Sequence, residues 1–119
     1  MLLFKVIIAG TRDFNDYNLL KMKLDKILSN ITDDIVIVSG KARGADTLGE
    51  KYAKEKGYQI AEFPADWEKF GRSAGYKRNV QMAEYADACV CFWDGRSPGT
   101  KHMINIANQY KLQIRVVKY

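Results

Sequence analysis

The chain has 119 residues, of which 47% are hydrophobic and 28% charged. That length fits one domain, 1–119, and can bury a core without disulfides or metal, while the composition excludes disordered and collagen-like classes. The net charge of +5 favours anionic partners of any kind, and lysines such as Lys51, Lys54 and Lys56 are scattered as on a solvated helix face, with no block of like charge.

The apolar opening Met1-Leu2-Leu3-Phe4 runs on to Ala9 through Lys5, too short a stretch to cross a membrane. It lacks the basic start and cleavage site of a signal peptide. It reads as a first strand, Leu3–Ala9. Gly10-Thr11-Arg12-Asp13 follows. Glycine permits a tight turn, Thr11 can donate from its hydroxyl, and the planar fork of Arg12 suits a phosphate or carboxylate. Many strand-to-helix turns contain Gly-Thr, so this loop alone decides nothing.

Leu20, Leu24, Ile27 and Leu28 repeat at helical spacing and predict a helix from about Asp16 to Leu28. A second strand, Ile35–Ser39, leads into Ser39-Gly40-Lys41-Ala42-Arg43-Gly44-Ala45-Asp46. Two glycines bracket two cations at a helix start, where free N–H groups and the positive dipole end favour an anion. The spacing fits neither a Walker A loop nor a dinucleotide fingerprint. The plainer alternative is a tight turn with Asp46 as a dipole or capping residue.

Ala45, Leu48, Tyr52 and Ala53 line a helix over Ala45–Lys56, stopped by Gly57. A third strand covers Tyr58–Phe63. The stretch Pro64–Gly75 reads as a long irregular connection, the kind that forms lids and binding loops. Its Trp67 and Phe70, with Tyr76, can stack on a base or simply pack the loop down. A third helix, near Ala74–Tyr85, carries Val80, Ala83 and Ala86 on one face, and its Arg78-Asn79 can reach back to the loops.

The fourth strand, Ala88–Trp93, holds Cys89 and Cys91 at a spacing that turns both to one face. One histidine, His102, cannot complete a zinc site with them, so no metal is expected. Two reduced small hydrophobes suit a reducing cytosol, and the expected location is the cytoplasm. Asp94-Gly95-Arg96-Ser97-Pro98-Gly99-Thr100 then forms a second small-residue loop before a helix lined by Met103, Ile104, Ala107 and Tyr110. Its amides and hydroxyls can wrap a phosphate; a capped Pro-Gly turn is the alternative. A fifth strand, Gln113–Lys118, closes the chain.

Short apolar strands alternating with helices imply an α/β fold: a Rossmann-like, doubly wound three-layer sandwich of about five parallel strands with helices on both faces. Ligands of such sheets bind beyond the C-terminal strand ends, where the strand order reverses. The candidate ligand-binding residues are Gly10, Thr11, Arg12, Ser39, Gly40, Arg43, Gly44, Asp46, Arg78, Asn79, Asp94, Ser97, Pro98, Gly99 and Thr100.

The ordered set Gly10-Thr11-Arg12-Asp13-Phe14, Ser39-Gly40 with Ala42-Arg43-Gly44-Ala45-Asp46, Pro64-Ala65-Asp66-Trp67, Ala74-Gly75, Arg78-Asn79 and Asp94-Gly95 with Ser97-Pro98-Gly99-Thr100 resembles the YspA-like branch of the SLOG superfamily. The resemblance implies a Rossmann-like fold and a nucleotide or nucleotide-derived ligand: a nucleoside phosphate, ADP-ribose or an NAD-like molecule. Relatives include ligand sensors, LOG-type phosphoribohydrolases and, more distantly, the single-stranded-DNA binder DprA. LOG-type enzymes carry Pro-Gly-Gly-x-Gly-Thr-x-x-Glu. Aligned on Gly99-Thr100, the glutamate position is Met103, which can serve neither as acid nor base.

A sensor or sequestering module is therefore the first expectation, with no cofactor. An enzyme cleaving or transferring an N-glycosidic bond is the alternative, with Asp46 and Asp94 as candidate catalytic carboxylates and Asp66 and Glu84 behind them. Single-stranded nucleic-acid binding ranks third. Nucleic acid is not expected as a partner, because the arginines sit in separate glycine loops and not along one stripe. A homodimer is allowed by the resemblance, and no membrane partner is expected. His102, just after Thr100, can meet a phosphate or hydroxyl, but a lone histidine on a helix is more often structural, so it ranks last among the site residues.

Overall fold

A computed structural model describes residues 2–119, so Met1 of the apolar opening lies outside the described residues. Strands and helices alternate as β1 (Leu3–Gly10), α1 (Tyr17–Ile27), β2 (Asp34–Ser39), α2 (Ala45–Lys56), β3 (Gln59–Glu62), α3 (Trp67–Phe70), α4 (Ala74–Tyr85), β4 (Ala88–Trp93), α5 (Pro98–Gln109) and β5 (Gln113–Lys118). The five strands form one sheet in the order β3-β2-β1-β4-β5, with every neighbouring pair parallel. This is the Rossmann-like α/β architecture that the alternation implies.

Strand period two explains the three layers. Val6 and Ile8 of β1 face a core shared with Leu20, Leu24 and Tyr52 of α1 and α2. Ile7 and Ala9 face the opposite core, with Met82 of α4 and Met103 and Ala107 of α5. Helix α2 lies almost on the sheet, because a Cβ on Gly49 would stand only 2.8 Å from Ile8 Cβ. The thiols of Cys89 and Cys91 are fully buried on the α4–α5 side, 3.5 Å apart. Hydrogen bonding between them and burial push the Cys89 thiol pKa up, so both pack as small hydrophobes.

Two expectations need correction. All five segments read in the sequence as buried strands, but β3 and β5 lie at the edges of the sheet with half-exposed or exposed side chains, because among the described residues no further strand pairs with their outer sides. The stretch Pro64–Gly75 is not irregular throughout: Asp66 accepts a hydrogen bond from Lys69 N at 3.1 Å and starts α3, a 3-10 turn over Gly71–Ser73 follows, and α4 begins directly.

The order of strands matters for function. From β1 the chain winds one way to β2 and β3, then returns to the other side for β4 and β5. The crevice between the C-terminal ends of β1 and β4 is thus the switch point of the sheet.

Candidate functional site

The loops after β1, β2 and β4 meet at that crevice through backbone contacts that only small residues permit. Thr11 N donates to Phe92 O at 2.9 Å, drawing the chain after β1 against β4. A side chain on Gly10 would strike Phe92 O and crowd Ala45 Cβ, 2.8 Å away. Gly44 has φ +81°, a left-handed conformation, and a Cβ there would run into the carbonyls of Thr11 and Arg12. These glycines let two loops and the start of α2 pack backbone to backbone.

The loop after β4 is braced in the same way. Thr11 Oγ1 accepts from Asp94 N at 3.1 Å. The Asp94 carboxylate accepts from Arg96 N and Ser97 N, each at 2.8 Å, and those amides hold its pKa below the usual carboxylate range. Ser97 Oγ accepts from Thr100 N at 3.4 Å and caps α5, with Pro98 in the first turn. Trp93 Nε1 donates to Ser97 O at 3.1 Å. Asp94 therefore builds the loop.

Asp46 sits in the first turn of α2, and its carboxylate accepts from Ala42 N at 3.3 Å. It is 4% exposed. Burial raises its pKa to about 6, opposed by the Arg78 charge and by the amides of Ala42 and Gly40. Arg78 and Asp46 flank Gly40: a Cβ there would lie 2.8 Å from Arg78 Nη1 and 2.9 Å from Asp46 Oδ2. Arg78 Nη1 donates to Gly40 O, and burial lowers the guanidinium's pKa.

Arg78 Nε also donates to Asn79 Oδ1 at 3.0 Å. The other end of that amide, Nδ2, must then be the group 3.1 Å from His102 Nδ1, so that ring nitrogen accepts and the proton sits on Nε2. Burial lowers the His102 pKa, which keeps the ring neutral. His102 packs against Tyr76 with ring centroids 4.3 Å apart and the planes tilted by 39°. The lone histidine thus orients Asn79 from behind.

Above these residues opens a cleft of about 610 Å³. Gly10, Thr11, Arg12, Arg43, Asp46, Arg78 and Asn79 line one part of it, and Asp94, Ser97, Pro98, Gly99 and Thr100 another. Ser39 and Gly44 do not line it: Ser39 is buried and donates to Glu50 Oε2 at 2.7 Å, and Gly44 is covered by the loop after β1. Gly40 lines a second, adjoining cleft instead. Residues outside the expected set complete the first: Arg72 and Arg96, the exposed rings of Trp67 and Tyr76, and a floor with Met82 and Met103. Trp67 and Tyr76 read in the sequence either as stacking rings or as loop packing, and the cleft takes both; Met82 and Met103 gave no such sign, since an apolar residue on the buried face of a helix reads as core. Phe70 lies off the cleft.

Neither candidate catalytic carboxylate is uncommitted. Asp94 holds two loop amides and Asp46 holds Ala42 N. Asp66 caps α3, and Glu84 is exposed on α4 away from the cleft lining. Met103, at the position of the LOG-type glutamate, is 1% exposed in the cleft floor.

The model of the family described as YspA, cpYpsA-related SLOG matches residues 4–70, more than half of the chain. The Gene 61 protein of Mycobacterium phage D29 is 34% identical over 111 residues, covering 88% of this chain and 89% of that protein. The chain belongs to this SLOG family. Among solved structures, this SLOG protein is similar to DNA processing protein A of Streptococcus pneumoniae, with a TM-score of 0.75, 17% identity and coverage of 96% of this chain and 50% of that one. It is also similar to DNA processing protein A of Helicobacter pylori, with a TM-score of 0.66, 21% identity and coverage of 95% and 64%. The SLOG chain thus spans between half and two thirds of these structures, and the likeness establishes the fold.

One expectation falls with this comparison. Nucleic acid was not expected as a partner and strand binding ranked third, yet the H. pylori protein is described by its single-stranded-DNA binding mode. The physical reason for ranking it last fails as well: arginines that stand in separate loops of the sequence converge on adjoining clefts at one rim. No helix among the described residues is long and apolar enough to cross a membrane.

Proposed function

We propose that the rim cleft binds a nucleotide-type ligand and that the protein acts as a sensor or sequestering module for it. One observation carries this reading: residues from the loops after β1, β2 and β4 and from α4 line a single cleft at the switch point. Five arginines (Arg12, Arg43, Arg72, Arg78 and Arg96) face three carboxylates there (Asp13, Asp46 and Asp94), and Asp46 and Asp94 are tied to loop amides. The surplus suits phosphate, which guanidinium forks grip in a bidentate manner. Trp67 and Tyr76, 50% and 47% exposed, give a base two faces to stack on. A volume of about 610 Å³ lies within the usual range for small-molecule sites.

The test is thermal unfolding with a panel of nucleoside monophosphates, ADP-ribose and NAD. A ligand at 100 times its Kd raises stability by about 2.7 kcal/mol. Arg12→Ala reduces that gain. An unchanged melting temperature across the panel would overturn the reading.

A second reading has its own support in the fold likeness to the H. pylori protein: the same cleft takes a nucleotide of a single DNA strand. Cationic grooves with exposed rings bind single strands by phosphate contact and base stacking. Anisotropy of a labelled oligonucleotide at several salt concentrations separates the two readings, because strand binding weakens steeply as salt rises.

A further inference from the structure

A second cleft, of about 640 Å³, lies on the far side of the loop after β2, walled by that loop and by Pro64, Ala65 and Trp67. Arg12, Ala42, Arg43, Trp67 and Arg78 line both clefts, so the two adjoin along a shared ridge. Their electrostatics differ. The first cleft carries three aspartates, whereas the second is lined by Arg12, Lys41, Arg43 and Arg78 with no carboxylate at all.

Not all four cations are available. Lys41 Nζ is held between Glu50 and Glu62, 3.0 Å from each. That pairing, with Lys41 N donating to Ser39 Oγ at 3.1 Å, holds Lys41 at φ +61°, a left-handed conformation unfavourable for a residue with a side chain. Lys41 therefore shapes the loop that divides the clefts. Arg78 is anchored to Gly40 and Asn79. Among the described residues Arg12 has no ion pair, and Arg43 has only Asp13 at 3.9 Å. Two exposed guanidinium groups thus stand on the ridge between the clefts, beside an indole that both clefts share.

We infer that the second cleft is the subsite for a second nucleotide unit of the same ligand, joined through phosphate that crosses the Arg12–Arg43 ridge. The inference rests on the first cleft holding a nucleotide. The shared chemistry is a phosphate bridge between two nucleotides. Its source is either a single strand, with a phosphodiester, or a free dinucleotide, with a pyrophosphate.

The experiment is a titration of the full chain with 5′-thymidylate, with the dithymidylate pTpT, with AMP and with the pyrophosphate-bridged diadenosine diphosphate. One two-unit ligand binds about tenfold or more tighter than its monophosphate, as one added charge-assisted contact provides, and which one does so names the source. If the source is the strand, pTpT also has the steeper salt dependence, by about 0.7 in log–log slope per added phosphate contact. Ala65 lines only the second cleft, so Ala65→Glu places a carboxylate there, abolishing the gain while leaving the monophosphates unaffected. Equal affinities for one-unit and two-unit ligands would overturn the inference but leave the first cleft standing, as would a gain that Ala65→Glu leaves intact. Failure of every ligand to bind overturns both readings.

Discussion

At the scale of single residues, Asp46 carries the largest electrostatic tension near the cleft. Its folded pKa of about 6 lies above the ordinary aspartate value of 3.8. The folded chain therefore binds more protons than the unfolded chain between these values, and stability falls as pH rises through that window. A shift of this size corresponds to a cost of order 3 kcal/mol above pH 6. Urea unfolding of Asp46→Asn between pH 4 and 7 should lack this decline. A wild-type profile that is flat or rising over the same window, after subtraction of the variant, would refute the account. The residue pattern showed an acid at the start of α2, where the helix dipole welcomes it. It did not show that the carboxylate turns away from the helix amides to Ala42 N and lies beneath Gly40 beside Arg78.

At the scale of elements, α5 illustrates how a loop becomes a rigid part of a site. Ser97 accepts from Thr100 N, Pro98 preorganises the first turn, and Asp94 fixes the amides of Arg96 and Ser97. Ser97→Ala removes the cap and is expected to lower stability by about 1 kcal/mol, read as a shift of the urea midpoint at unchanged slope. A midpoint equal to that of wild type would show that the cap is idle. This helix start, like α2 over Ala45–Lys56 with its stop at Gly57, was legible because caps and glycine stops are local signals. The segment after β3 was not: α3 is only Trp67–Phe70, too short for a periodic stripe, so a stretch with helical turns reads as plain loop.

At the scale of the whole molecule, the site depends on how closely β1, β4 and α2 approach one another at the switch point. Gly10 is the contact where they meet, and a methyl group there collides with Phe92 O and Ala45 Cβ. Gly10→Ala is expected to cost about 3 kcal/mol, as overpacking against backbone does, and to lower the melting temperature cooperatively. A melting temperature within a degree or two of wild type would mean that the strands can part there without cost.

The sequence by itself determined the α/β class, the parallel strands and the turns that bear glycine, because hydrophobic period, capping and turn chemistry are written within a few residues of one another. It also determined the absence of a glutamate at Met103. Only the tertiary structure decided that Ser39 and Gly44 support the rim from below while Arg72, Arg96, Trp67 and Tyr76 line it. It alone gathered dispersed arginines around two adjoining clefts. Those outcomes depend on the strand order and on side-chain direction across the sheet, and both are set by contacts between residues far apart in the chain.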